Sequence, residues 1–124
     1  MAILGVQMFT LRKFTQNEAD LEAALKKVRD IGYQCIQVSA FGPIPADRVQ
    51  QLCTDADLDI AATHVSWDRF RYDLKNVIAE HVLWDCKHTA VGMIPPEDYL
   101  SLQGLKKFLS EATPVIRDLQ AAGI

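Results

Sequence analysis

His64 sits near the end of the run Asp59-Ile60-Ala61-Ala62-Thr63-His64-Val65-Ser66 and is the one side chain so placed that exchanges protons near neutral pH. A base at the end of a strand suits proton transfer between adjacent carbons of a hydroxy-carbonyl compound; the same position equally suits a hydrogen-bonded structural histidine. Gln7 and Gln37 occupy similar positions in two earlier apolar runs, where their amides either meet the hydroxyls of a small ligand or bond to one another. Ser39 follows Gln37 on the same side of its run and joins this set. Arg12 stands just behind the first run, as a phosphate anchor or as an exposed loop arginine. Trp67 and Phe41 fall just past two runs and suit either the wall of a sugar site or plain packing. His81, on the apolar stripe of a helix, and His88, at the start of the fourth run, have places that suit structural histidines. Asp68 is the only carboxylate close behind a strand end, and His64 with Asp68 is too small a set to hold a metal.

The elements that would carry these residues alternate between two periodicities. Ile3 to Phe9 reads as a strand that gives way to a polar loop. Thr15 and Glu18 have capping-box spacing, Leu21, Ala24, Leu25, Val28 and Ile31 share one helical face, and Gly32 supplies the left-handed stop. Cys35 to Ala40 reads as a second strand, and Val49, Leu52, Cys53 and Ala56 mark a second helix with Pro45 in its first turn. Asp59 to Ser66 is the third strand, Leu74, Val77, Ile78, His81 and Val82 trace one third helix, and Lys87 to Ile94 is the fourth strand. Ser101 then caps a long helix whose stripe is Leu102, Leu105, Leu109, Ala112, Ile116 and Leu119, with Pro114 expected to kink or divide it. Strand starts recur at intervals of roughly 25 to 32 residues, the length of a strand-helix crossover, so the sheet is expected to be parallel.

The two faces of the strands differ. Leu4, Val6 and Met8, then Ile36, Val38 and Ala40, then Ala61, Thr63 and Val65, then Thr89, Val91 and Met93 form the more apolar set, expected to meet the helices. Gly5, Gln7 and Phe9, Cys35, Gln37 and Ser39, Ala62, His64 and Ser66, and His88, Ala90 and Gly92 form a small and polar set. A doubly wound sheet needs two apolar faces; one apolar face points to a barrel whose second face looks into a lumen. The fold class predicted is therefore α/β: four parallel strand-helix units, a (βα)4 half of a TIM barrel, as a single domain over 1–124.

Composition bounds the function. The chain has 124 residues, 49% hydrophobic and 23% charged, with a formal net charge of -3 and no run of Lys or Arg, which argues against a nucleic-acid or membrane partner. Its N-terminus enters an apolar run without a basic leader, so a cytoplasmic location is expected. Cys35, Cys53 and Cys86 are odd in number and widely spaced, as expected of reduced thiols.

The succession Gly5-Val6-Gln7-Met8-Phe9-Thr10-Leu11-Arg12, Ile31-Gly32-Tyr33 leading to Ile36-Gln37-Val38-Ser39, and Ala62-Thr63-His64-Val65-Ser66 resembles the sugar phosphate isomerase/epimerase family of xylose-isomerase-like TIM barrels. The resemblance covers the whole chain, against the N-terminal half of the family's barrel. It implies an eight-unit barrel that isomerises or epimerises sugars or related polyols, with a divalent metal at the C-terminal rim. It also implies a catalytic or substrate-contacting role for His64. The family's metal is held mainly by carboxylates and a histidine on later strands, which this chain does not contain, so no metal ligand and no cofactor are expected of this chain alone.

Ala122-Gly123-Ile124 repeats the punctuation of Ile31-Gly32-Tyr33 with no strand after it, so the chain is expected to stop at the threshold of a fifth unit. The first and fourth strands of such a half-barrel would have free edges, and pairing with a second copy or a complementary half-barrel would satisfy both. The preferred expectation is a homodimeric barrel with little or no isomerase activity of its own. The alternatives are a metal-dependent isomerase or epimerase completed by a second chain, and a non-catalytic sugar-binding or assembly module.

Overall fold

In the computed structural model, which describes residues 2–124, four parallel strands alternate with helices in the sheet order β1-β2-β3-β4. The strands are β1 (Gly5–Gln7), β2 (Cys35–Val38), β3 (Asp59–Val65) and β4 (Thr89–Val91). The helices are α1 (Glu18–Ile31), α2 (Ala46–Asp55), α3 (Trp67–Tyr72), α4 (Leu74–Leu83) and α5 (Leu102–Ala121). Gln7 is in register with Gln37, Gln37 with Ala62, and His64 with Ala90. The register slips between Ile36 and Gln37, which leaves Ala61 as the extra residue of a bulge in β3. Each consecutive pair of strands is joined by a crossover, and β1 and β4 each pair on one side only.

Strand ends are where sequence and structure part. β1 stops at Gln7, and the expected polar loop is a 3₁₀ helix, Met8–Phe14. Side chains stabilise this tight turn by meeting its free carbonyls: Thr10 Oγ1 donates to Gln7 O at 2.8 Å and Arg12 Nη1 to Phe9 O at 2.9 Å. Thr15 is fully buried and donates to Arg12 O, so it closes that turn and does not cap α1. The cap is Asn17, whose Oδ1 accepts from Asp20 N. Gly32 ends α1 in the left-handed conformation, with φ at 112°. The expected third helix is α4; a short additional helix, α3, capped by Ser66, precedes it, and the chain turns at Asp73 between the two.

The helix-facing set holds at its middle members. Ile36, Thr63 and Val65 are buried and Val6, Val38, Thr89 and Val91 half-buried, whereas Leu4, Ala40, Ala61 and Met93 are exposed. Leu4 and Met93 lie beyond the strands, Ala40 adopts a positive φ of 54°, and Ala61 is turned by the bulge.

Two apolar clusters result. The first gathers Met8, Leu21, Leu25, Val28, Ile36, Val49, Leu52 and Ile60 among its members, from the first two units and the start of β3. The second gathers Val65, Trp67, Phe70, Val77, Ala112 and Leu119, from the last two. At the third crossover lies a buried polar chain. His81 Nδ1 donates to Val77 O at 2.7 Å, and its Nε2 is hydrogen-bonded to the Thr63 hydroxyl at 2.7 Å. The Thr63 and Thr89 hydroxyls are in turn hydrogen-bonded to each other at 2.8 Å. His81, 1% exposed, is thus the structural histidine its helical position suggests.

Helix α5 runs unbroken through Pro114. Ser110, whose carbonyl loses its donor to the proline, is exposed, so water can take the place of the missing bond. The stripe expected to be its buried face is covered only at Ala112 and Leu119; Leu102, Leu105, Leu109 and Ile116 are 70%, 40%, 61% and 51% exposed. The covered face is centred on Gly104, Phe108, Ala112, Val115 and Leu119. On one flank of it Glu111 reaches Arg71 of α3 and Asp118 lies beside the first turn of α4. By helical geometry the four exposed apolar residues lie on the other flank, away from α4 and on the side of the free β4 edge. Among the described residues no helix is long and apolar enough to cross a membrane.

Candidate functional site

Gln7 ends β1, Ser39 directly follows β2, and His64 is the penultimate residue of β3, so parallel pairing brings all three to the same end of the sheet. They line one cleft of about 700 Å³, a volume suited to a small ligand. His64 is half-buried, and no hydrogen bond to its ring or to the Gln7 amide is present among the described residues. Small neighbours make room for the imidazole: a Cβ at Gly92 would stand 3.4 Å from His64 Cβ and 3.7 Å from Cγ.

The outer wall is built by the loop after β2. Gly42 N donates to Thr15 O at 2.9 Å, and Gln16 Nε2 donates to Ala40 O at 2.9 Å, which straps that loop to the segment before α1. A side chain at Gly42 would place its Cβ 2.0 Å from Gln16 O, so the approach requires glycine. Phe41 and Ile44 from this loop line the cleft with Trp84, whose indole Nε1 donates to Ala46 O at 2.9 Å and joins α4 to the start of α2.

Three expected site residues lie elsewhere. Gln37 is half-buried in mid-sheet and does not line the cleft; it is in register with Gln7 without a side-chain hydrogen bond between them. Arg12 is held on the 3₁₀ helix, its guanidinium 4.3 Å from the centroid of the Phe9 ring. Trp67 is 3% exposed and packs on Phe70 and Phe108 in the second cluster, with ring centroids 6.4 and 4.8 Å away. The cause is common to the last two: each belongs to a helical turn that begins as soon as its strand ends, and that turn carries the side chain off the rim. Asp68 is likewise exposed on α3 and outside the cleft.

Arg69 and Glu80 line the cleft without having been singled out by the sequence. Arg69 donates from Nη1 to Glu80 Oε2 at 2.9 Å and from Nη2 to Glu80 Oε1 at 3.0 Å. It also donates from Nε and Nη2 to Asp73 Oδ2 at 3.1 and 2.8 Å. These bonds, Glu80 first, push the guanidinium above its ordinary value against partial desolvation. Hydrogen bonds from Arg69 and then Asn76 hold the Asp73 carboxyl below the usual range. The Arg69-Asp73 spacing is visible in sequence as an i,i+4 pair; the Glu80 contact depends on the break between α3 and α4.

Among the described residues no group of three His, Cys, Asp or Glu side chains is arranged to hold a metal ion. At the cleft, His64 is the single imidazole donor and both Glu80 oxygens are taken by Arg69. This donor set does not fit the hard divalent cation that the resemblance implies, which needs several free oxygen ligands.

No protein-family model matches the chain, and a search of curated proteins found no match. Solved structures do share its fold. The crystal structure of an AP endonuclease, family 2, from Brucella melitensis superposes on 100% of this chain and 53% of its own, with a TM-score of 0.73 and 14% identity. A sugar phosphate isomerase/epimerase from Parabacteroides distasonis ATCC 8503 covers 98% of this chain and 48% of its own, with a TM-score of 0.63 and 17% identity. The chain thus spans about half the length of each. Its fold is an α/β half-barrel unit of four parallel strands alternating with helices, matching about half of each of these proteins.

Proposed function

We propose that this chain is a half-barrel that binds a small polyhydroxylated ligand, a sugar or polyol, at the C-terminal ends of its strands. In this reading it assembles with a second copy into an eight-stranded barrel and has little or no isomerase turnover of its own. The observation that carries the reading is the pair His64 and Gln7, which line a cleft of about 700 Å³ and whose side chains make no hydrogen bond among the described residues. Ser39 adds a hydroxyl, and Phe41 and Trp84 supply the apolar wall that the C–H face of a sugar prefers. His64 is the hydrogen-bonding centre of this set; without an acid partner or a metal it is a poor shuttle for protons between carbons.

The second copy is supported by the two free strand edges and by the apolar flank of α5 that adjoins one of them. With strand β4 of each copy beside β1 of the other, both edges are satisfied at once and all eight strands stay parallel. Binding of D-fructose and myo-inositol by calorimetry tests the ligand site. Saturable binding is expected, with His64→Ala weakening it at least ~10-fold, about 1.4 kcal/mol, at unchanged thermal stability. Absence of saturable binding to either would refute the site.

A second reading, a metal-dependent sugar phosphate isomerase or epimerase completed by a second chain, is favoured by the likeness to the Parabacteroides structure, whose chain is about twice as long. Metal-dependent turnover that is lost in His64→Ala would establish it over the first. The likeness to an AP endonuclease supports no reading as a DNA enzyme, because the chain carries a net charge of -3 and a phosphate backbone is held by basic side chains.

A further inference from the structure

We infer that the cleft selects an uncharged sugar or polyol over its phosphate ester; this rests on the ligand-binding reading above and specifies the class of ligand. Among the described residues Arg69 is the one Lys or Arg that lines the cleft, and so the one built-in anchor for a phosphate. Its guanidinium is already shared between two carboxylates through four hydrogen bonds of 2.8 to 3.1 Å, to Asp73 and Glu80. The three side chains together carry one net negative charge. A phosphate arriving there meets a surplus carboxylate, and to capture Arg69 it must displace one that is already ideally placed.

Arg12, the cation that the sequence offers behind the first strand, is no substitute. Arg12 gives Nη1 to Phe9 O and stacks on the Phe9 ring, outside the cleft. Closing the barrel with a second copy would set a second Arg69-Asp73-Glu80 group, again with one net negative charge, on the far side of the rim. The groups that remain, His64, Gln7 and Ser39, are the donors and acceptors that hydroxyls need. Charge therefore sets the specificity: Asp73 and Glu80 act as the filter, and they do so by occupying Arg69.

The test is calorimetric titration of the full chain with matched pairs at constant ionic strength: D-fructose, D-glucose and D-mannose against their 6-phosphates. The free sugar that binds is expected to do so at least ~10-fold more tightly than its phosphate. In Asp73→Asn/Glu80→Gln, which keeps Arg69 and removes both carboxylates, the phosphate is expected to gain at least ~10-fold while the free sugar changes little. Should that double variant not fold, Asp73→Asn alone, at a partly exposed position, is expected to move the ratio the same way. A phosphate that binds wild type as tightly as its sugar, or more tightly, overturns the inference and leaves the ligand site standing. Phosphate affinity that is unchanged in a folded variant also overturns it, since Arg69 would then not be the gate. No binding by any of the six compounds overturns the site and the inference together.

Discussion

Replacing Leu105 and Leu109 by glutamate is expected to leave the chain folded and to abolish its self-association. Both residues are on the free flank of α5, 40% and 61% exposed, and neither belongs to the second apolar cluster. Complete burial of a leucine or isoleucine contributes roughly 1.5–3 kcal/mol, so the exposed parts of Leu102, Leu105, Leu109 and Ile116 offer about 3–7 kcal/mol per flank. A closed dimer has two such flanks, enough to offset much of the roughly 4–15 kcal/mol cost of association before strand pairing is added. The double glutamate removes about one leucine's worth of burial per flank, roughly 1.5–3 kcal/mol, and forces carboxylates into the contact. The dimer dissociation constant should then rise at least ~100-fold. Light scattering on a sizing column at micromolar concentration reads this directly: wild type at twice the chain mass, the variant at the chain mass. Gln103→Glu, on the solvent-facing side of the same helix, should leave the dimer intact. A wild type that is monomeric throughout, or a double variant that still dimerises, refutes the reasoning.

Two further outcomes follow from the interior. Thr63→Val removes the hydroxyl between His81 and Thr89 and leaves His81 Nε2 buried without a partner, which should cost about 1–3 kcal/mol in denaturant unfolding. Stability should also fall at both ends of the pH scale. The Asp73 carboxyl is held low by Arg69, so its contribution is complete above the ordinary value of 3.8 and is lost as pH drops through its folded value. Burial pushes the Cys53 thiol up to about 12 from 9.0, so its contribution is complete below pH 9.0 and is lost as pH rises toward 12. Thermal melts from acid to alkaline pH check both limbs, and the Cys53 thiol should resist alkylation at neutral pH until the chain unfolds.

Periodicity made the alternation of strands and helices legible, because each apolar position answers to a whole layer of neighbours. Val49, Leu52 and Cys53 on α2, or Leu21, Ala24, Leu25 and Val28 on α1, are buried as their spacing requires. It was less informative wherever a short turn decided the matter. Thr15 and Asn17 are both good caps, and only the 3₁₀ turn ahead of them determines that Asn17 is the one used. The same cause displaced Arg12 and Trp67 from the rim. At α5 the period was right and the coverage was not: a hydrophobic stripe says which face seeks burial, while which part of it is met depends on what stands beside the helix. The Arg69-Glu80 pair could not be read at all, since the residues are separated by a turn at Asp73 that no apolar pattern marks.

The division of the interior into two apolar clusters bears on the order of events in assembly. The first cluster is the larger and draws mainly on the first two units; the second is smaller and borders both the free β4 edge and the bare flank of α5. Local opening follows buried contact, so amide exchange should be fastest in α5 and β4 and slowest in α1 and β2. The surface that would receive a second copy is thus also the part of the fold least secured by the chain itself. In the proposed dimer, ordering of the last unit and arrival of the second copy would be linked equilibria, with protein concentration setting the fraction of chains whose C-terminal helix is docked.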